Sequence, residues 1–214
     1  MTIKAILWDM DGTIVDTERL VFEVIVKSFK DTRNIDLPED TWNSLLGQSE
    51  QDFFDKMQAQ HDLTSQEVTA IRDHFDANYI PMLSELTPLS GAVELCRKLH
   101  AMLPQALVTG STEPQANAVL KTLELTDCFQ FVLASGQYTN GKPHPEPYLK
   151  AAEMMDVQPD ECLVLEDSPS GVTSSKAAGM FTVGIHEGNQ GKYDIQHADV
   201  EIATLLEFDI AWLV

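Results

Sequence analysis

The sequence predicts an α/β fold: a parallel β-sheet with helices between its strands, and an α-helical domain inserted after the first strand. Three observations predict it. Short apolar runs of strand length recur along the chain, helical apolar patterns lie between them, and one long interval near the N-terminus holds helical patterns alone.

The apolar runs, in order, are Lys4 to Trp8, Gln105 to Val108, Phe129 to Ala134, Cys162 to Leu165 and Phe181 to Ile185. Each has the length and character of a strand buried on both faces. The stretches SGAVELCRKLHAM, EPQANAVLKTLEL, PEPYLKAAEMM and SGVTSSKAAG carry apolar residues at mixed three and four spacing, the signature of helices packed on one face. Strand and helix in alternation build a parallel sheet, and such sheets bind ligands at the carboxyl ends of their strands.

The interval from about Asp16 to Met82 breaks the alternation. It contains TERLVFEVIVKSF, PEDTWNSLL, SEQDFFDKMQAQ and TSQEVTAIRDHFDANYI, all helical in pattern. Ser49 with Asp52 and Thr64 with Glu67 have the spacing of capping boxes, and Asp16 and Thr17 are placed to cap the first of these helices. The economical arrangement is a helical domain over residues 16–82, lying above the strand ends as a lid.

Composition narrows the function. The chain has 214 residues and 43% hydrophobic content, enough for a proper core. Its longest apolar runs fall far short of the ~20 residues of a membrane span. The N-terminal run ends in charged Asp9 without a small-residue cleavage site, so a cytoplasmic location is expected. Cys96, Cys128 and Cys162 are widely spaced among apolar neighbours and read as reduced core thiols. With 14 basic against 34 acidic residues the formal net charge is −20, with no basic cluster, so neither nucleic acid nor an anionic membrane is an expected partner. An anionic ligand would need local positive charge, and a divalent cation is one source.

The strand ends carry the candidate chemistry. The first run stops at Asp9 and Asp11, two aspartates separated by one residue, followed by Gly12 and Thr13, which suit a tight turn. The second runs into Thr109, Gly110 and Ser111, a hydroxyl and a flexible backbone suited to gripping a phosphate, before a helix opening at Thr112. The fourth ends in adjacent Glu166 and Asp167, and the loop TNGKPHPEP between places Lys142 among three prolines. Each feature has an ordinary reading as a cap, an acidic turn or a solvated lysine. At one edge of one sheet they form a site. Carboxylates gathered there would repel one another unless a cation such as Mg²⁺, which takes oxygen ligands, lay between them. A carboxylate can attack phosphorus and a second acid can serve the leaving group, with Lys142 offsetting the phosphoryl charge.

These residues resemble the haloacid dehalogenase superfamily, within the group that holds β-phosphoglucomutase and small-metabolite phosphatases with a helical cap. DMDGT is similar to its first motif, LVTGS to its second, the lysine of NGKPHPEPY to its third and LVLEDSPSG to its fourth, in order along essentially the whole chain. The resemblance implies a Rossmann-like core from residues 1–15 and 83–214, a cap from 16–82, Asp9 as nucleophile and Asp11 as general acid/base. It implies Mg²⁺ held by Asp9, Asp11 through its backbone carbonyl, Glu166 and Asp167. It implies Thr109, Gly110, Ser111 and Lys142 as the phosphate grip, with Gln48 in the specificity loop, and it admits a cis Lys142–Pro143 peptide. The expected activity is hydrolysis of a small phosphorylated metabolite, a sugar or polyol phosphate, by a monomer. Two alternatives stay open: a β-phosphoglucomutase-type mutase and a phosphate-binding regulatory protein without turnover. A mutase cap supplies cationic side chains where this chain has Val21, Glu50 and Phe75, although Arg19 and Arg72 lie nearby in sequence.

Overall fold

The computed structural model describes residues 2–38, 41, 50–83, 86–189 and 194–214. The chain divides into two compact units, one from residues 1–16 with 87–214 and the other from residues 17–86.

The larger unit is built on six parallel strands: β1 (Ala5–Trp8), β2 (Gln105–Val108), β3 (Val132–Leu133), β4 (Cys162–Glu166), β5 (Phe181–Ile185) and β6 (Val200–Ile202). Their order across the sheet is β3-β2-β1-β4-β5-β6. β1 therefore sits at the centre, with Trp8 level with Leu107 on one side and Leu165 on the other. The chain winds outward from β1 in both directions, so the crevice beyond the ends of β1 and β4 is the topological switch point where such sheets bind ligands. Every residue of β1, β2 and β4 is buried, which explains why these strands show as continuous apolar runs. The polar residue of β2 is satisfied: Gln105 accepts from the Trp8 indole at 2.8 Å and donates to the carbonyls of Cys96 and Cys128. All three cysteines are buried free thiols, as their apolar neighbours imply.

Two strands differ from expectation. The run Phe129–Ala134 contracts to the two residues of β3, because Phe129 still terminates the 3₁₀ turn Thr126–Cys128. β6 is unexpected; it has three residues, it lies at the sheet edge, and its Glu201 is exposed, so it leaves no apolar run to read.

The helices of this unit are α4 (Ala92–His100), α5 (Glu113–Thr122), α6 (Glu146–Met154) and α7 (Pro169–Ala177). α6 packs Tyr148, Ala151 and Ala152 against a core that includes Leu7, Val108 and Val164. Where the chain leaves for the inserted segment and comes back, its two arms are paired: Val15 bridges Pro88 antiparallel, and the Leu89 amide donates to the Ile14 carbonyl at 2.8 Å.

The smaller unit holds α1 (Glu18–Arg33), α2 (Glu50–Gln60) and α3 (Ser65–Met82). Its centre is aromatic: Phe29 stacks on Phe54 with Phe53 edge-on, and α3 contributes buried Ile71, Phe75 and Tyr79 at helical spacing. The Thr64–Glu67 capping box is present, each residue's side chain accepting from the other's amide at 3.3 and 2.9 Å. Thr17 stands at the N-cap of α1 without a capping side-chain hydrogen bond, contrary to expectation, because its backbone (φ −97°, ψ −14°) is already helical. A capping side chain needs an extended residue to reach back to the first turn. Ser49, Gln48 and most of the helical pattern PEDTWNSLL lie outside the described residues. Among the described residues, no helix is long and apolar enough to cross a membrane.

Candidate active site

β1 delivers Asp9 to the switch point, and the Asp9 amide donates to the Leu165 carbonyl at 3.0 Å, holding it beside β4. The chain then turns sharply. The Met10 carbonyl accepts from the Ile14 amide at 2.8 Å, the Gly12 amide donates to the Val15 carbonyl at 2.7 Å, and Gly12 has φ +88°. A side chain at Gly12 would be strained, and its Cβ would lie 2.0 Å from Oδ2 of Asp167. The glycine is what lets the aspartate turn close onto the end of β4.

Lys142 arrives from the loop after β3, through a cis peptide to Pro143. Its Nζ donates to Asp9 Oδ1 at 2.6 Å, Glu166 Oε1 at 2.6 Å and the Val108 carbonyl at 3.0 Å, which uses all three ammonium hydrogens. The loop that carries it is tied down by Glu146, whose carboxylate accepts from the amides of Thr139 and Asn140 and from the Asn140 side chain.

Glu166 is fully buried. Its Oε1 accepts from Lys142 and the Tyr148 hydroxyl, and its Oε2 accepts from the amides of Asp167 and Ser168 and the Ser168 hydroxyl. α7 leaves room for it with Gly171, where a Cβ would come within 1.6 Å of Oε1.

Asp11 has a different setting. Half-buried, it accepts at Oδ2 from the Ser111 hydroxyl at 2.7 Å and the Thr109 hydroxyl at 3.3 Å. The Ser111 amide donates to Thr109 Oγ1, which fixes the turn after β2, and Gly110 faces open space. The structure thus brings Asp9, Lys142 and Glu166 into direct contact, and Asp11 with Thr109 and Ser111; Gln48 lies outside the described residues.

Electrostatically the pocket is unbalanced. Burial pushes the Asp9 carboxyl well above the ordinary aspartate range; Lys142 opposes this, and the charges of Glu166 and Asp11 add to it. Burial also works against the Lys142 ammonium, but Asp9 and Glu166 outweigh it and hold the lysine charged. One lysine does not offset these carboxylates. Among the described residues, Asp9, Glu166 and Asp167 each offer a carboxylate oxygen within 4.8 Å of the others, all three side chains buried. Hard oxygen donors with uncompensated charge fit a divalent cation, and this cluster could hold one. The donors already engaged on Glu166 leave Asp9 and Asp167 the better placed for direct contact.

Sequence reasoning missed Tyr148 and Asn189. Tyr148 reads as one more apolar position of α6, and its hydroxyl, pointed at Glu166, has no sequence signature. Asn189 follows β5 in a glycine-containing loop, yet it is 1% exposed. The residue type alone marks it as a turn.

Residues 3–179 match the haloacid dehalogenase-like hydrolase family. The chain belongs to that family. Among relatives of this hydrolase, β-phosphoglucomutase of Bacillus subtilis is 29% identical over 87% of this chain and 84% of its own. The phosphorylated carbohydrates phosphatase of Thermotoga maritima is 31% identical over 89% of each. The crystal structure of CbbY from Rhodobacter sphaeroides in complex with phosphate superposes with a TM-score of 0.86 over 99% of both chains, at 22% identity. That last likeness is one of fold alone.

Proposed function

We propose that this phosphomonoester hydrolase uses Mg²⁺ and acts on a small phosphorylated metabolite, a sugar or polyol phosphate, through an aspartyl-phosphate on Asp9. The observation that carries the reading is the contrast between two aspartates two residues apart: Asp9 buried against Lys142, Asp11 half-exposed under the hydroxyls of Ser111 and Thr109. Two carboxylates in unlike environments suit two roles, nucleophile and acid/base.

Lys142 holds Asp9 Oδ1, which leaves Oδ2 to attack phosphorus. As the new O–P bond forms, the bond from phosphorus to the substrate oxygen breaks, and Asp11 gives its carboxyl proton to the departing alkoxide. The Asp11 carboxylate then takes a proton from water, whose oxygen attacks phosphorus and breaks the bond to Asp9. Inorganic phosphate leaves, and both aspartates return to their starting states. Lys142 offsets negative charge on the phosphoryl oxygens, while Thr109 and Ser111 orient Asp11 and lie within reach of a bound phosphate. The Asp9 and Asp167 carboxylates and the Asp11 carbonyl, with Glu166 adjacent, would hold Mg²⁺, and the ion would add charge stabilisation at the phosphoryl oxygens.

The kinship with β-phosphoglucomutase makes the mutase the natural rival. Two features favour water as acceptor. Phe75 is buried and stacked on Tyr79, and Arg72 is engaged within its own unit, over the Phe54 ring at 4.4 Å and bonded to Gln51. Neither is a spare cation for a second phosphate. The test is a phosphate-release screen over phosphorylated sugars and polyols with Mg²⁺ or EDTA, together with β-glucose 1-phosphate plus catalytic glucose 1,6-bisphosphate. Mg²⁺-dependent phosphate release supports the reading; isomerisation to glucose 6-phosphate that outpaces phosphate release selects the mutase, and no turnover at all selects a binding protein.

A further inference from the structure

The segment after β5 plays no part in the chemistry above, yet it closes on three other loops. The Asn189 side-chain amide donates to the main-chain carbonyl of Asp167 at 2.6 Å and to that of Ile185 at 3.4 Å. One residue earlier, Gly188 lies flush on the aspartate turn, where a Cβ would come within 1.9 Å of the Gly12 carbonyl oxygen. Gly12 lies equally flush on the Asp167 carboxylate. Asp167, Gly12, Gly188 and Asn189 therefore make a closed ring of contacts. A residue further back, Glu187 accepts from the Ser90 amide at 3.0 Å and the Ser90 hydroxyl at 2.6 Å, anchoring the segment away from the carboxylates.

β4 ends at Glu166, so the Asp167 carbonyl lies beyond the sheet ladder that fixes its predecessors. The Asn189 amide provides a hydrogen bond at that carbonyl. We propose that Asn189 is a positioning residue for cation binding: by holding the main chain at Asp167 it keeps that carboxylate against Gly12 and facing Asp9. The inference rests on the divalent-cation reading of the site. Partners that orient a metal ligand without touching the metal commonly change affinity by about 10- to 100-fold when removed.

The experiment is calorimetric titration of Mg²⁺ alone into the full-length protein, for the wild type, Asn189→Ala, Asn189→Asp, Glu187→Gln and Asp167→Asn. Asn189→Ala is expected to weaken Mg²⁺ by about 10-fold or more, and its phosphatase deficit to recover at high Mg²⁺ with KM for substrate unchanged. Asn189→Asp keeps the shape, removes the donor and adds a negative charge. A site governed by charge alone would bind Mg²⁺ more tightly in that variant, whereas positioning requires weaker binding, so it decides the matter even if the alanine variant fails to fold. Glu187→Gln loosens the same segment without touching Asp167, and its Mg²⁺ affinity should stay within about twofold of the wild type. Wild-type affinity in the Asn189 variants, or an equal loss in Glu187→Gln, overturns the inference while leaving the cation reading intact. If the wild type binds no Mg²⁺ and Asp167→Asn behaves identically, the cation reading falls and the inference falls with it.

Discussion

Replacing Glu166 with glutamine tests how much of the site's order depends on one buried carboxylate. The carboxylate accepts from two donors on one oxygen and three on the other, and a glutamine can present its single acceptor to only one of these groups. Turned toward Lys142, its amide group would meet the Asp167 and Ser168 amides and the Ser168 hydroxyl, setting donors against donors. Turned toward the main chain, it costs less. Lys142 then keeps Asp9 and the Val108 carbonyl, but loses a charge-assisted bond of about 1.5–3 kcal/mol, and the buried Tyr148 hydroxyl loses its acceptor at about 1–3 kcal/mol. Relief of repulsion among the neighbouring carboxylates works in the opposite direction, which places the net loss near 3 kcal/mol. For a chain of this size that corresponds to a fall in Tm of roughly 6–12 °C. The assay is thermal and urea denaturation in EDTA, so that no bound cation adds to the difference. A Glu166→Gln protein as stable as the wild type, or more stable, would show that repulsion among the carboxylates outweighs the hydrogen bonds and that Glu166 is not what orders Lys142.

Asp9→Asn should abolish turnover with the fold retained, since an amide cannot form the phosphoryl intermediate; residual activity near wild type in a phosphate-release assay would remove Asp9 as nucleophile. Asp11→Asn should lower the rate by roughly 10²-fold or more, and less for esters with good leaving groups; equal losses for both ester types would leave Asp11 a structural role only. Gly12→Ala forces a side chain into a φ of +88° and into the Asp167 carboxylate, so activity should fall by at least about 10-fold; wild-type activity with an unaltered Mg²⁺ requirement would contradict the close approach. The Thr139 amide, with the Asn140 side chain and amide, holds the Glu146 carboxyl below its ordinary pKa. Its stabilising contribution is thus complete above about pH 4.3 and lost as the pH falls through the lower folded-state value. Glu146→Gln should be less stable than wild type at pH 7, and the two should converge in acid melts; a gap that widens on acidification would refute the sign.

The residues of the candidate site are legible in the sequence largely because they follow directly on the ends of buried parallel strands. An apolar run that stops at Asp9, or at Glu166 and Asp167, announces both a buried strand and the charge at its end, and the sheet order then brings the ends together. Lys142 could be chosen because it is an isolated cation in a proline-stiffened loop. The threefold grip of its ammonium on Asp9, Glu166 and Val108 could not, since those partners lie 24 to 133 residues away in sequence. Thr109 and Ser111 follow directly on the end of β2, as the apolar run before them implies, but their hydrogen bonds to Asp11 depend on a side-chain geometry that spacing does not encode. β6 escaped notice for a thermodynamic reason: an edge strand with exposed Glu201 needs little apolar character of its own. The failure of Thr17 to cap α1 is a matter of one backbone angle, beyond the reach of residue type.

The pairing of Val15 with Pro88, and of Leu89 with Ile14, gives the inserted segment a narrow neck. Its two ends are already fastened together by the fold that they interrupt. The entropy of closing a loop grows only with the logarithm of its length, so what hangs from such a neck can be lengthened, trimmed or exchanged at small thermodynamic cost. The strands and the carboxylates at their ends all belong to residues 1–16 and 87–214, outside the segment 17–86. The architecture separates two kinds of inheritance: a sheet whose strand ends are under tight geometric constraint, and an inserted module free to diversify in sequence.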